Sequence, residues 1–412
     1  MVEIVQILSS LRRSKIGALV IVIQTALTML MISNVASIVA ARAAFFTRST
    51  GLNEANLFAT GWRFTKNDAT QAMLETDIHS VQSVPGVVDV VSTNSYPIRG
   101  HGLMMGVGLK AGESNEQAVG GIDTVYTMDD HAIPTMGLQL VAGRNFRSDE
   151  IFTGSSKPGS VPQVAIITVS LARSLFGNAD ALDKVIYLTG GPTSPPLTVI
   201  GIVKRLQGVT AAGTLDPVAS ENSIILPIRT PEPNELFVIR VKPGSLETVM
   251  PAVQAALVKN NPWRIFGRLR PFSEIRASAY EKDRLIAMAL IVIAAVLVCV
   301  AVLGVTGLTS YWVSRRRLQI GIRRALGATR AAIIRYFLLE NAVLCLIGVG
   351  LGSAATLAVN HWLFVRYGVG RIQVFDLLAC CVTIIIVGQL AAVVPAARAA
   401  KDDPAKTLRV IK

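Results

Sequence analysis

Asp, Glu, Lys and Arg are nearly absent from four windows of this chain: Ile16 to Ala41 (26 residues), Leu285 to Ser314 (30), Asn341 to Val365 (25) and Leu377 to Ala397 (21). A helix rises about 1.5 Å per residue and a bilayer's hydrocarbon core is roughly 30 Å thick, so each window is long enough to span it. Composition agrees, with 51% of the 412 residues hydrophobic and 16% charged, against roughly a quarter charged in a soluble globular protein. A soluble enzyme is excluded, and a four-span helical membrane protein is expected.

The net charge of +13 would suit nucleic acid if it sat on a folded domain. From Ala43 to Arg284, however, 22 basic residues meet 22 acidic ones. The excess lies in three short stretches: Arg12, Arg13 and Lys15; Arg315 to Arg335, with seven arginines and no acid; and Arg398 to Lys412. By the positive-inside rule all three are expected in the cytoplasm. Both termini are then cytoplasmic, one loop of about 240 residues lies outside, and no nucleic-acid partner is expected because the large domain is neutral. The first apolar window exceeds the roughly 7–15 residues of a signal-peptide core, so a retained anchor is expected.

All four cysteines, Cys299, Cys345, Cys380 and Cys381, fall inside the apolar windows. No disulfide can staple the outer domain, which must hold itself together by apolar burial. There, a helix is expected over Asp68 to Val84, with Asp68 as N-cap, Leu74, Ile78 and Val81 on one face, and Pro85-Gly86 ending it. Extended stretches at Asn56 to Phe64 and Val87 to Val91 flank it. A second unit has a strand at Leu236 to Val241, a helix face at Leu246, Val249, Val253 and Leu257, and a strand at Arg264 to Leu269. The two units predict a split ferredoxin-like layer. Between them, from about Met105 to Ile228, short strands at Val164 to Thr168, Val185 to Leu188, Thr198 to Val203 and Ser223 to Leu226, and one helix at Ser170 to Phe176, predict an inserted, mostly β subdomain. The outer piece is therefore expected to be α+β.

Chemistry is sparse. No G-x-x-x-x-G-K-[ST] motif occurs, so ATP hydrolysis by a P-loop is excluded. The four histidines have no metal-ligand spacing, and no G-x-S-x-G elbow accompanies the serines. Asp129-Asp130-His131 is read as a solvated turn. No catalytic residue, cofactor or metal site is expected in this chain.

The informative segment runs from Arg315 to Arg330. Leu318, Ile322, Ala325 and Leu326 recur at helical spacing while Arg316, Gln319, Arg323 and Arg324 take other faces, giving a short amphipathic helix suited to docking a protein. Gly327 is placed to end it and Thr329 to cap the next helix. Ser273 to Arg284 contains no Pro or Gly and predicts one rigid helix entering the second span. Gly348 and Gly352 form a G-x-x-x-G pair in the third, suited to packing within the chain or against a second copy. Glu340, near the cytoplasmic end of that span, is expected to pair with a nearby arginine, and His361 is read as an interfacial polar residue.

The run Gln319-Ile-Gly-Ile-Arg-Arg-Ala-Leu-Gly-Ala-Thr-Arg330, followed by Phe337-Leu-Leu-Glu340 and Gly348-x-Gly350-x-Gly352, resembles the carboxy-terminal module of MacB/FtsX-type ABC-transporter permeases. Leu140-Val-Ala-Gly-Arg-Asn-Phe146, Leu171 to Gly177, Val199 to Lys204 and the tail Pro395 to Pro404 are similar too. The resemblance implies a dimeric permease in a bacterial inner membrane, paired with a second copy or a paralogue. It places a cytoplasmic N-terminus at 1–15, spans at 16–41, 285–314, 333–365 and 377–397, and a periplasmic domain at 42–284. That domain divides into porter-like halves at about 53–104 and 229–272, an insert at about 105–228 and a stalk at 273–284. A coupling loop follows at 315–332, a short external loop at 366–376 and a cytoplasmic tail at 398–412. Docking on a cytoplasmic ATPase falls on Ile320, Gly321, Arg323, Arg324, Ala325, Leu326 and Gly327; many family members have Glu where this chain has Gln319. ATP and Mg are expected in that ATPase, a separate polypeptide since only 15 residues precede the first span. A periplasmic adaptor and an outer-membrane channel complete the partners that the resemblance allows.

The implied function is ATP-driven export or extraction by mechanotransmission, in which nucleotide-driven motion is passed to the periplasmic domain. Alternatives are lipoprotein release, as in the related LolC and LolE, and an FtsX-like transducer that activates a cell-wall hydrolase without transport.

Overall fold

The computed structural model describes residues 15–64, 69–114, 122–154, 162–189, 195–210, 219–316, 320, 322, 329–367 and 372–401. The chain divides into two compact units, Phe45–Asp283 and, discontinuously, Met1–Ala44 with Arg284–Lys412. The first long helix, α1 (Lys15–Thr47), has no charged residue between Lys15 and Arg42.

In the unit Phe45–Asp283, β1 (Leu57–Phe64), α2 (Gln71–Gln82) and β2 (Val87–Ser92) form one strand-helix-strand unit. Chain order then passes through an insert made of β3 (Leu103–Gly108), β4 (Ile122–Met128), α3 (Ala132–Met136), β5 (Leu140–Gly143), β6 (Phe152–Thr153), β7 (Val164–Thr168), α4 (Val169–Phe176), β8 (Val185–Leu188), β9 (Leu197–Val203) and β10 (Ser223–Arg229). It returns as β11 (Asn234–Val241), α5 (Leu246–Asn260), β12 (Arg264–Phe266), β13 (Arg270–Pro271) and α6 (Phe272–Ala279).

The two strand-helix-strand units interleave in one antiparallel sheet of order β12-β1-β11-β2, with β13 also pairing with β1. Strand alternation gives the sheet two buried faces. Phe58, Trp62, Phe237 and Ile239 meet Leu74, Val81, Val253 and Leu257 from α2 and α5, while Leu57, Ala59, Leu236 and Val238 face the insert. Asp77 of α2 is also buried, in a 2.6 Å ion pair with Arg264 of β12, whose guanidinium lies 5.0 Å from the Trp62 ring. Desolvating two charges is tolerable only with such a close partner.

The insert is a closed ring. Strands pair in the order β4-β3-β8-β9-β7-β10, and β10 returns to β4 in parallel register, Ser223 opposite Thr124 through Pro227 opposite Met128. Closure removes the exposed edges that an open sheet of short strands would present. Ala165, Ile167, Val199 and Ile224 pack within the insert while Ile166, Ile200, Val203 and Ile225 pack toward the first sheet. Burial on both faces is why these strands read as unbroken apolar runs.

Several boundaries differ from the sequence expectation. The cap of α2 is Thr70, whose hydroxyl accepts from the Met73 N–H, two residues beyond the expected Asp68, which lies outside the described residues. The strand expected over Arg264 to Leu269 is divided: β12 stops at Phe266, the Gly267 N–H still bonds the Gly61 carbonyl at 2.8 Å, and pairing with β1 resumes at β13 with the register moved by one residue. The unbroken helix expected from Ser273 to Arg284 is interrupted: α6 ends at Ala279 with Tyr280 as its C-cap, and a new helix, α7 (Glu281–Arg315), begins after it. There the Tyr280 ring packs on Phe46 at 5.6 Å and its hydroxyl accepts from Gln207, tertiary contacts that a Pro/Gly scan does not register.

Asp129-Asp130-His131 is no solvated turn. Asp129 is buried against Arg229 at 3.2 Å. His131 Nδ1 lies 2.7 Å from Asp89 of β2, whose other oxygen accepts from Thr135. Fold contacts far apart in sequence thus join the insert to the first sheet. The Asp89 bond pushes the imidazole up to about 9. Burial works against Asp89, yet its bonds from His131 and Thr135 hold it below the usual carboxylate range.

The discontinuous unit contains α1, most of α7, and α8 (Arg330–Tyr367) and α9 (Val374–Lys401). All four helices are long and apolar enough to cross a membrane. Large apolar side chains such as Val292, Leu303, Leu351 and Leu390 are exposed on them, the pattern expected where lipid is the surrounding solvent.

Candidate functional site

The segment joining α7 to α8 carries the arginine-rich motif. Among its docking candidates only Ile320 is described; Gly321, Arg323, Arg324, Ala325, Leu326 and Gly327 lie outside the described residues. Ile320 is buried in an apolar cluster with Val313 of α7, Ile333 and Phe337 of α8, and Ala396 of α9. Its N–H donates to the Arg316 carbonyl at 3.0 Å. Ile322, two residues on, is exposed. At the far side the Thr329 hydroxyl accepts from the Ala332 N–H at 3.2 Å and caps α8.

One charged pair stands directly behind this segment. Arg316 Nη1 donates to both Glu340 oxygens, at 2.9 and 3.2 Å, and the Glu340 side chain is 2% exposed. The pair links the last turn of α7 to α8, one helical turn from Phe337 and the Ile320 cluster. A buried carboxylate without that guanidinium would carry an uncompensated charge.

Deeper in the bundle, small residues set the spacing of the helices. A Cβ at Gly348 would come within 2.7 Å of the Thr25 Cβ and 3.0 Å of the Val22 carbonyl. One at Gly352 would meet the Met29 Cβ at 2.6 Å and the Ala26 carbonyl at 2.7 Å. The G-x-x-x-G pair thus faces α1 of the same chain. Gly350, between them, has open space at its Cβ position. Between helices without a hydrophobic driving force, such close approach is what lets dispersion and hydrogen bonding hold the contact.

Two polar side chains in otherwise apolar windows add to this. Gln24 of α1 donates to the Val300 and Ala301 carbonyls of α7 at 3.1 and 3.3 Å, with Gly304 leaving room for it. Asn341 of α8 donates to the Gly388 carbonyl of α9 at 3.0 Å. Sequence reasoning passed over both, although a lone amide within an apolar stretch is a visible signal of a helix contact. Among the described residues no group of three or more His, Cys, Asp or Glu could hold a metal ion.

Residues 16–257 match the family described as MacB-like periplasmic core domain, and residues 291–404 the family described as FtsX-like permease C-terminal. The chain belongs to the MacB/FtsX-like ABC permeases. A Bacillus subtilis relative, described as an uncharacterized ABC transporter permease YknZ, is 23% identical over 354 residues, 83% of this chain and 80% of that one. The macrolide export ATP-binding/permease protein MacB of Chromobacterium violaceum is 28% identical over 277 residues, covering 66% of this chain but 41% of its own length. The chain therefore spans less than half of that MacB relative. Among solved structures, the extracellular domain of the YknZ transporter aligns over 52% of this chain and all of its own at 14% identity, with a TM-score of 0.33. In this MacB/FtsX-like chain the FtsX-like match takes in the segment between α7 and α8, the Arg316–Glu340 pair and the Gly348–Gly352 contact.

Proposed function

We propose that this chain is the permease subunit of an ATP-driven ABC exporter or extractor working by mechanotransmission. The observation that carries the reading is that two family matches, a MacB-like periplasmic core and an FtsX-like permease end, together cover most of the chain. The unit Phe45–Asp283 is then the extracytoplasmic domain that handles substrate. Its four-stranded order β12-β1-β11-β2 with two helices on one face supports a split ferredoxin-like porter layer interrupted by the barrel insert.

The chain's own part is mechanical. The basic segment after α7 faces the cytoplasm with both termini, and Arg323 and Arg324 with Gly321, Ala325, Leu326 and Gly327 dock a separate ATPase, where ATP and Mg are bound, while Ile320, expected to dock with them, is buried within the chain and anchors the segment instead. The Arg316–Glu340 pair and the Ile320 cluster brace that segment on α7, α8 and α9, so a push on it is delivered to packed helices rather than dissipated in a loop. A second permease copy or paralogue, a periplasmic adaptor and an outer-membrane channel complete the assembly.

The test is purification of the tagged full chain from its native host in gentle detergent, with mass spectrometry of what accompanies it. A P-loop ATPase with a periplasmic adaptor is expected. A peptidoglycan hydrolase in the adaptor's place would turn the reading to an FtsX-like transducer, and acylated proteins to lipoprotein release. The absence of any ATPase, where other membrane complexes survive, would overturn the permease assignment.

A further inference from the structure

A cleft of about 860 Å³ opens in the unit Phe45–Asp283 between the uncovered end of the first sheet and the loop from β2 to β3. Its volume falls within the range of small-molecule sites, about 300–1,000 Å³. The floor is the end of the face that packs on the insert elsewhere: Gly61 and Arg63 of β1, opposite Leu236 and Asn234 of β11, with Ile265 of β12 beside Arg63. Gly61 keeps the floor low, since a Cβ there would come within 3.0 Å of the Glu235 carbonyl and 3.1 Å of Leu236 Cδ1.

The wall is a built loop. Asn94 anchors its start by donating to the Val125 carbonyl and accepting from the Thr127 N–H. Ile98 sits at φ +58°, a conformation that a β-branched residue rarely adopts. It is held there by its N–H on the Gly208 carbonyl, by the Gly100 N–H on the Val209 carbonyl, and by Ser95 Oγ on the His101 carbonyl. Backbone strain of this kind persists only where the surroundings over-determine it, and it clusters at functional sites. The conformation carries Tyr96, Arg99 and His101 to the cleft, with the Arg99 guanidinium 5.6 Å from the Tyr96 ring centroid.

The formal charge of the lining is positive by one: Arg63, Arg99 and Arg268 line the cleft with two acids, Glu232 and Glu235. Arg268 also lies 3.4 Å from Glu274 outside the cleft, and Arg99 donates to the Asn94 carbonyl at 3.0 Å. Glu235 is already engaged: one oxygen accepts from Ser92 Oγ and the other from the Glu232 N–H, on the buried side of the sheet. Exposed apolar groups, Ile265 and Leu103, complete the lining.

We propose that this cleft binds a small anionic amphiphile, with a phosphate or carboxylate head held by Arg63, Arg99 and Arg268 and an apolar tail on Ile265, Leu103 and Tyr96. The assignment deepens the permease reading by naming a class of molecule that the extracytoplasmic domain takes up. The assay needs no ATPase, so a failure to bind would reject the cleft assignment alone, while the co-purification above tests the permease reading.

The test is calorimetric titration of the full chain in nanodiscs, with empty nanodiscs as the blank, using hexyl phosphate, hexyltrimethylammonium and inorganic phosphate as probes. Hexyl phosphate should bind at least about tenfold more tightly than either of the others, the charge-assisted contacts setting it above the cation and burial of the hexyl chain above inorganic phosphate. Arg63→Glu with Arg268→Glu, both on the exposed rim, should weaken it by about tenfold or more, while Arg173→Glu on the exposed surface of α4 should leave it unchanged. Equal binding of the cationic and anionic probes, or binding indifferent to the rim charges in a variant whose thermal unfolding matches the parent, would overturn the proposal. An equal response to inorganic phosphate would overturn the amphiphile part.

Discussion

The two units handle buried polarity differently. In the helical unit the buried polar side chains reach from one helix to the next, mostly onto backbone carbonyls: Gln24 on α7 carbonyls, Asn341 on the Gly388 carbonyl, and Glu340 on Arg316 as the one ion pair among the described residues there. In Phe45–Asp283 buried charges join elements far apart in sequence, as in Asp77 with Arg264, Asp89 with His131 and Thr135, and Asp129 with Arg229. The difference follows from the solvent. A water-exposed domain has a large apolar driving force that can carry the desolvation of ion pairs placed to fix register. A helix in lipid has no such force toward its neighbour, so it relies on close glycine contact and a few hydrogen bonds between helices.

The comparison can be broken most severely at the proposed docking segment. Arg323→Glu with Arg324→Glu should leave membrane insertion intact and weaken ATPase association by more than about thirtyfold, as reversal of interface charges does; normal assembly and ATP hydrolysis in the reconstituted complex would reject the docking role. Next is the pair behind it. Glu340→Gln removes the negative charge beside Arg316 and should cost about 3 kcal/mol in equilibrium unfolding, much of it recovered by adding Arg316→Met. A double variant as unstable as the single one would mean that the pair is held by its surroundings and not by charge.

A smaller effect separates neighbouring glycines. Gly348→Ala and Gly352→Ala should each cost about 1–3 kcal/mol through overpacking against α1, while Gly350→Ala, with open space and better helix propensity, should be neutral or slightly stabilising. Equal effects at all three positions would remove the α1 contact as the reason for the motif.

The smallest effect belongs to His131. Its folded value, about 9, lies above the 6.5 of an unpaired imidazole, so the contribution is complete below about 6.5 and is lost as pH rises toward 9. Thermal unfolding of the extracytoplasmic unit within the full chain should therefore weaken from pH 6.5 to 9, and His131→Asn should flatten that slope. An unchanged slope would assign it to another group.

Much of this was legible in local pattern. Charge-free windows marked the four long helices because an apolar length is a property of contiguous residues. The strands at Val164, Val185, Thr198 and Ser223 and the face Leu74, Ile78, Val81 emerged from periodicity for the same reason. Local pattern misled where a distant residue decided. The helix break at Tyr280 depends on Phe46 and Gln207, and the burial of Asp129 on Arg229, a hundred residues away.

What the sequence determined by itself is therefore the number of long apolar helices, the element types of the outer domain and the family, each written in runs of neighbouring residues. Tertiary structure alone decided that the insert closes through a parallel β4–β10 pairing, that Gly348 and Gly352 face α1, and that Arg63 and Arg99 come to the same cleft. Those are pairings between segments separated by tens to hundreds of residues, and hydropathy, spacing and propensity have no reach over such distances.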